Sequence, residues 1–379
     1  MKIVTVAGAR PNFIKIAPLM WEMQKHPEIR PFLIHTGQHY DVQMSGQFFY
    51  DLNIPPPDVS LEVGSGSHAY QTAEVMRKIE PVLEEMRPNV VVVVGDVNST
   101  VAAALTAAKL HIPVAHVEAG LRSFDRTMPE EINRLVTDAV ADYLFVSEES
   151  GVQNLRREGI AEQKIFFVGN VMIDSLEASR RAWERSTIHA RLGVRCRGYG
   201  VVTLHRPSNV DNDETLREIL GALEEVAKGL PLIFPLHPRT RKRLEMMDDI
   251  LPSLWFGEAN LPLRGICCLK PINYLDFMAL IAHARVVLTD SGGLQEETSA
   301  LGIPCLTLRE NTERPVTVTH GTNQIVGMSA ARIIETALTV LRSSRQASSL
   351  PPLWDGKAAE RIVAILKERV NCVAEAEKL

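Results

Sequence analysis

Two carboxylates, Glu296 and Glu297, follow a serine and two glycines in TDSGGLQEE, residues 289–297. The apolar run ARVVLT leads into that string, so the segment reads as a strand, a tight glycine turn and a helix start. Such a turn offers backbone N–H groups and the positive end of a helix dipole to an anion, most often a phosphate. Acids one turn into the helix would repel a phosphate, but they accept hydrogen bonds from sugar or ribose hydroxyls. One short segment therefore suggests a nucleotide that carries a sugar.

Other strings place chemistry at similar points. In GARPNFIK (8–15), Gly8 permits a tight bend, and Arg10 and Lys15 either face an anion at the helix N-terminus or stand as solvated surface charges. The turn lacks the GxGxxG fingerprint, so a nicotinamide cofactor is not indicated. In GDVNST (95–100), Asp96 sits at the carboxyl edge of a sheet, where active sites collect. It reads equally well as a helix cap, a role open also to Asn98, Ser99 and Thr100. In HVEAGLRS (116–123), Glu118 directly follows the apolar VAHV. An unpaired carboxylate is costly there, so it has a buried ion-pair partner or a raised pKa suited to proton transfer. His116 shares its face if the strand continues. In MPEEINRLVTD (128–138), Pro129 opens a helix with Glu130 and Glu131 in its first turn, and Glu130 is spaced to pair with Arg134 on the helix surface. His205 and Arg206 in TLHRPSNVD, and His237 and Arg239 in PLHPRTR, lie at equivalent strand ends and suggest an anionic ligand. Glu313 and Arg314 lie in a loop beyond PCLTLR.

The elements that must position these residues repeat a simple pattern. KIVTVAG (2–8), PFLIHTG (31–37), VVVVVG (90–95), VAHVEAG (114–120), YLFVSE (143–148) and IFFVG (165–169) read as strands with helical spacing between them, including a helix from Phe13 to Lys25. Runs apolar on both faces indicate buried parallel strands. GVVTLH (200–205), LIFPLH (232–237), ICCLKP (266–271), VVLTDSG (286–292) and PCLTLR (304–309) restart the series. The expected fold is α/β, with two Rossmann-like doubly wound domains, 1–184 and 185–355, facing a shared cleft. The polar, basic stretch 185–200 reads as the junction. The helical stretch 356–379 belongs to either domain, with packing back on the first preferred. The Pro/Gly/Ser-rich loop 51–67 is long enough to suggest function or mobility.

Composition narrows the function classes. At 379 residues, two domains are the default. Hydrophobic content of 45%, charged content of 23% and a net charge of −5 fit a globular protein, with no reason to expect nucleic acid or an acidic membrane surface. The N-terminus does not read as a signal peptide, and no segment approaches the roughly 18 apolar residues of a membrane span. Five cysteines without CxxC spacing suggest buried thiols rather than disulfides or zinc, which fits a reducing cytoplasm. No metal site is expected.

Taken together, the motifs resemble the non-hydrolysing UDP-N-acetylglucosamine 2-epimerases over essentially the whole chain. The matching strings run in family order: G-RP--IK at 8–15, GD at 95–96, HVEAGLR at 116–122, PEE-NR at 129–134, HR at 205–206, DSGG-QEE at 290–297 and ERP at 313–315. The resemblance implies two Rossmann-like domains similar to GT-B glycosyltransferases. It also implies interconversion of UDP-N-acetylglucosamine and UDP-N-acetylmannosamine through elimination of UDP to a 2-acetamidoglucal, with no cofactor, in a homodimer.

By the same resemblance Asp96, Glu118 and Glu130 are the acid/base residues, and His205 contacts the diphosphate and assists its departure. Arg10 and Lys15 face phosphates or the catalytic carboxylates. Ser291, Gly292 and Gly293 hold diphosphate, Glu297 the ribose, and Arg314 the sugar or phosphate. Arg134 and His237 join the binding set, and Tyr274 or Phe277 packs on the uracil. The family's usual GTRPE is GARPN here, which leaves Asn12 without an acid, and the HRRE-type string is HRPSN. Gln38 and His39 match part of an allosteric string of some relatives. Relatives that act on diacetamido uronic acid sugars carry DSGG-QKE and an altered ERP, unlike this chain. A hydrolysing relative that releases UDP and N-acetylmannosamine, a GT-B glycosyltransferase and a non-catalytic sugar-nucleotide sensor remain alternatives.

Overall fold

The computed structural model describes residues 1–37, 49, 52–247, 254–259, 261, 262, 264–343 and 349–376, without the side chains of Arg10 and of 371–376. Gln38 and His39 lie outside the described residues. The chain forms two compact units, Met1–Ala178 with Pro352–Leu379, and Ser179–Pro351. The basic stretch 185–200 lies within the second.

In the first unit β1 (Lys2–Ala7), β2 (Arg30–His35), β3 (Val59–Ser60), β4 (Val90–Val94), β5 (Val114–Val117), β6 (Tyr143–Val146) and β7 (Ile165–Phe167) form one parallel sheet, in the order β3-β2-β1-β4-β5-β6-β7. β4 is five valines, all buried, because helices cover both faces of the sheet. The helix His68–Met86 covers it with Val75, Ile79 and Leu83, four residues apart on one face. Ser67 caps that helix through its hydroxyl. The order reverses between β1 and β4, which opens a crevice at their carboxyl ends.

The second unit repeats the plan with β8 (Gly200–Thr203), β9 (Leu232–Pro235), β10 (Leu254–Phe256), β11 (Ile266–Leu269), β12 (Val286–Thr289), β13 (Cys305–Thr307) and β14 (Asn323–Ile325), in the order β10-β11-β9-β8-β12-β13-β14. Its switch point lies between β8 and β12. Each sheet is parallel and α/β, as the alternation of runs implies. The observed strands stop one to three residues short of the expected ends, several of them at a polar residue or glycine that turns the chain. The edge strands β3, β10 and β14 were not expected. They are only two or three residues long, too short to show a period.

The final helix, Ala358–Ala376, packs on the helices Arg10–Gln24 and Val171–Ala178. Asp174 caps it from the neighbouring helix by accepting the N–H groups of Ala358 and Ala359 at 3.2 and 2.7 Å. Cys267, Cys268 and Cys305 are buried free thiols, and Cys196 is an exposed one. Among the described residues no helix is long and apolar enough to cross a membrane.

Gly120 closes the β5 turn at φ +81°, where a Cβ would stand 2.4 Å from the carbonyl oxygen of Gly151. Gly120→Ala is expected to lose about 1–3 kcal/mol from backbone strain alone, read as a lowered denaturation midpoint. A wild-type midpoint would show that the loop can give way.

Candidate active site

At the carboxyl edge of the first sheet, two turns and a helix converge. After β1 the chain turns at Gly8 and Ala9. The amide of Asn12 secures that turn: its oxygen accepts from the N–H groups of Gly8 and Ala9, and its nitrogen donates to the Val94 carbonyl at the end of β4. A carboxylate at this position would offer no such donor. One helical turn on, Lys15 is buried, and its ammonium donates to the Glu118 carboxylate. It is therefore not a surface charge. Gly95 has φ +66°, and a Cβ there would lie 2.9 Å from Lys15 Nζ and 3.2 Å from Glu118 Oε2. The glycine makes room for the pair.

Glu118 has the buried ion-pair partner its position demands. It does not share a face with His116, because β5 ends at Val117 and Glu118 adopts φ +73°, a left-handed conformation uncommon outside glycine. Its N–H is anchored on the Phe145 carbonyl of β6. His116 instead lies between the Gly95 carbonyl at 2.8 Å and Asp138 at 2.6 Å.

Asp96 is not a helix cap. The following helix, Asn98–Lys109, starts after Val97 with no side-chain cap. Ser99 bonds to Thr36, and Thr100 donates to the Val94 carbonyl. Asp96 accepts from Arg134 at 2.5 Å, while Asn133 donates to its carbonyl. Arg134 also grips Glu131 at 2.6 Å, so the expected Glu130–Arg134 pair does not form. Glu130 is half-buried and bonds to no other described side chain. Glu131 accepts from the Ser123 N–H and hydroxyl and from the Phe124 N–H. Burial opposes its ionisation, but those hydrogen bonds and Arg134 hold its carboxyl below the usual range.

Asp138 was missed from the sequence. It accepts from His116, the Gly120 N–H and Arg122, the last at 2.7 Å, and Arg122 reaches on to Glu158. Burial raises its pKa, and the contacts with His116 and Arg122 lower it, with a net depression. The available signal was spacing: residues 131, 134 and 138 fall on one face of the helix Pro129–Val140.

In the second unit, β12 ends in Thr289, Asp290 and Ser291, and the helix Gly292–Leu301 begins. Ser291 stands at the N-cap with no side-chain cap bond, and its own N–H donates to the Thr289 hydroxyl. The first-turn N–H groups at Gly292 and Gly293 have no partner within the helix, the arrangement that suits an anion. A Cβ on Gly292 would lie 2.6 Å from Arg314 and 2.7 Å from Glu313. Behind the turn Arg314 stands 2.8 Å from Glu296 and 2.6 Å from Glu313, and Arg309 and Arg206 approach Glu313 at 2.8 and 3.6 Å. Burial works against Glu313, yet Arg314, Arg309 and Arg206 keep it far below the usual carboxylate range. Arg314 is thus buried in an ion cluster, and Glu296 is engaged there rather than offered to a sugar.

Glu297 is buried and accepts from the Tyr274 hydroxyl at 3.4 Å. Burial, with Glu296 adding, pushes its carboxyl up to about 8. Tyr274 is buried, its hydroxyl engaged with Glu297 and Ser179, while Phe277 is half-buried one turn along. His205 Nδ1 stands 2.8 Å from Asp290, and the His237 ring lies 5.8 Å from the His205 ring. The adjacent arginines do not stand free. Arg206 donates to the Asp290 carbonyl, and Arg239 pairs with Asp211.

Glu297 sets a pH dependence. Its folded pKa lies above its unfolded value, so the folded state holds a proton that the unfolded chain releases. Stability from this group is therefore greatest below about 4.5 and declines as pH rises toward about 8. Glu297→Gln is expected to lose less stability than the wild type between pH 5.5 and 8 in denaturant titrations. Parallel losses would contradict the assignment.

Comparison with known proteins gives a consistent picture. Residues 21–367 match the family model described as UDP-N-acetylglucosamine 2-epimerase. The chain is 44% identical to the UDP-N-acetylglucosamine 2-epimerase of Methanocaldococcus jannaschii over 97% of this chain and 99% of that protein. It is 40% identical to the UDP-2,3-diacetamido-2,3-dideoxy-D-glucuronate 2-epimerase of Pseudomonas aeruginosa, over 97% of this chain and 99% of that protein. The crystal structure of the Methanocaldococcus jannaschii enzyme in complex with UDP-GlcNAc and UDP superposes with a TM-score of 0.88 at 42% identity, covering 97% of this chain and 100% of that one.

Proposed function

The chain belongs to the UDP-N-acetylglucosamine 2-epimerase family, and from that premise we propose that it interconverts UDP-N-acetylglucosamine and UDP-N-acetylmannosamine. It is an isomerase of the non-hydrolysing type. The observation that carries the substrate is the match, over nearly the whole chain, to a relative solved with UDP-GlcNAc.

The C2 hydrogen is not activated by a carbonyl, so direct abstraction and return is unfavourable. In the proposed route a base removes the C2 proton, and the C–H electron pair becomes the C1–C2 double bond. The C1–O bond breaks with its pair going to the diphosphate oxygen, which leaves 2-acetamidoglucal and UDP. UDP then adds back at C1, and C2 takes a proton on the opposite face. Asp96, Glu118 and Glu130 are the proton-transfer set. Arg134 and Lys15 are assigned to orient Asp96 and Glu118. In the second unit Ser291 and the N–H groups of Gly292 and Gly293 hold the diphosphate, and Glu297 takes the ribose hydroxyls. Arg10 and His237 complete the phosphate contacts, and Phe277 is preferred to the engaged Tyr274 for the uracil. Arg314 acts from behind the turn rather than on the ligand. The family reading also carries a cytoplasmic homodimer.

One contact favours the N-acetylglucosamine substrate over the diacetamido uronate. Relatives acting on the latter differ at Glu296 and in the ERP string, and Glu296 stands against Arg314 here. In this chain Glu296 and Arg314 stand 2.8 Å apart, so both strings meet at one contact.

Incubation with UDP-N-acetylglucosamine in heavy water is expected to place deuterium at C2 and to yield the manno epimer, with little with UDP-2,3-diacetamido uronate. A folded protein that shows neither would sink the proposal, and stoichiometric release of UDP would point to the hydrolysing alternative. Asp96→Asn and Glu118→Gln are expected to reduce exchange on the order of 100-fold or more, with UDP binding retained in calorimetry. Loss of UDP binding would overturn their assignment to proton transfer.

A further inference from the structure

Asp290 opens the glycine turn, yet no role above uses its carboxyl. It is completely buried, so it cannot touch a substrate. One oxygen accepts from the backbone N–H groups of His205 and Arg206, each at 2.9 Å. The other stands 2.8 Å from His205 Nδ1, off the ideal hydrogen-bond direction. The carboxylate therefore joins the ends of β8 and β12 at the switch point of their sheet. His205 is 40% exposed at its side chain, so its outer edge, with Nε2, faces away from Asp290. Among the described residues, Arg206, whose Nε donates to the Asp290 carbonyl, and the His237 ring also stand beside the His205 ring. Burial opposes ionisation of Asp290, but His205 and the two N–H groups hold its carboxyl below the usual range, so a negative charge faces the ring.

We infer that Asp290 is a positioning residue for His205: it holds the ring with Nδ1 inward and Nε2 outward, and its charge favours the protonated ring as hydrogen-bond donor to the leaving diphosphate. This rests on the epimerase reading above. As the C1–O bond breaks, its electron pair goes to the diphosphate oxygen. The Nε2–H offsets that charge through a hydrogen bond and keeps its proton.

Asp290→Asn separates this role from a structural one. The amide oxygen still accepts the two backbone N–H groups, while the NH₂ faces Nδ1 and cannot stabilise a charged ring. The variant is expected to bind UDP within about threefold of wild type and to lose on the order of 100-fold in kcat near pH 8. The alkaline limb of its kcat profile is expected at lower pH, and NMR titration of the His205 ring should show the proton lost at lower pH. A merely structural role would scale the profile without moving it, and an unmoved ring titration overturns the proposal. If the wild type shows no exchange, the epimerase reading falls, and the ring titration alone decides the role of Asp290. Should the variant not fold, the wild-type spectrum decides: a neutral ring protonated on Nε2 rather than Nδ1 overturns the inference.

Discussion

A carboxylate set just past an all-apolar strand must meet a cation or a group of N–H donors, because the strand offers it no solvent. That constraint organises the first unit. Glu118 follows four buried residues of β5 and meets Lys15 from the helix after β1. To bring them together the chain accepts a left-handed Glu118, an anchor on β6 and a glycine at position 95. One buried ion pair thus ties the turns after β4 and β5 to the helix after β1.

The neighbouring acids extend the same logic. Arg134 bridges Asp96 on one turn and Glu131 on its own helix, and Glu131 in turn holds the Ser123–Phe124 backbone. Asp138 gathers His116, Arg122 and Gly120. The strings GD, HVEAGLR and PEEINR, separate along the chain, are therefore one connected network. Within it Glu130 makes no side-chain bond to a described residue, which distinguishes it from its partnered neighbours.

The second unit solves a different electrostatic problem. Its glycine turn presents backbone N–H groups, while the arginines nearby are neutralised behind it by Glu296 and Glu313. Positive potential at the turn then comes from the helix end rather than from free guanidinium groups. Such a turn suits an anion without long side chains to reorder. Glycine at 292 is what lets that cluster pack against the turn.

The sequence by itself determined the parallel α/β architecture, because runs apolar on both faces leave few alternatives, and it located the turns, because glycine and proline act locally. It also showed that Glu118 has either a buried partner or a raised pKa, since the apolar character of its neighbours was visible in the string VAHV. Tertiary structure alone decided which partner each charge took. Arg134 lies four residues from Glu130 yet pairs with Asp96, thirty-eight residues away, because the strand end brings Asp96 to the inner face of the helix. Tyr274 turned to Glu297, and Asp138 joined His116, for the same reason. Helix and strand periods report which face a residue occupies. The choice among charges meeting on that face depends on long-range approach and on desolvation, neither of which is written in local spacing.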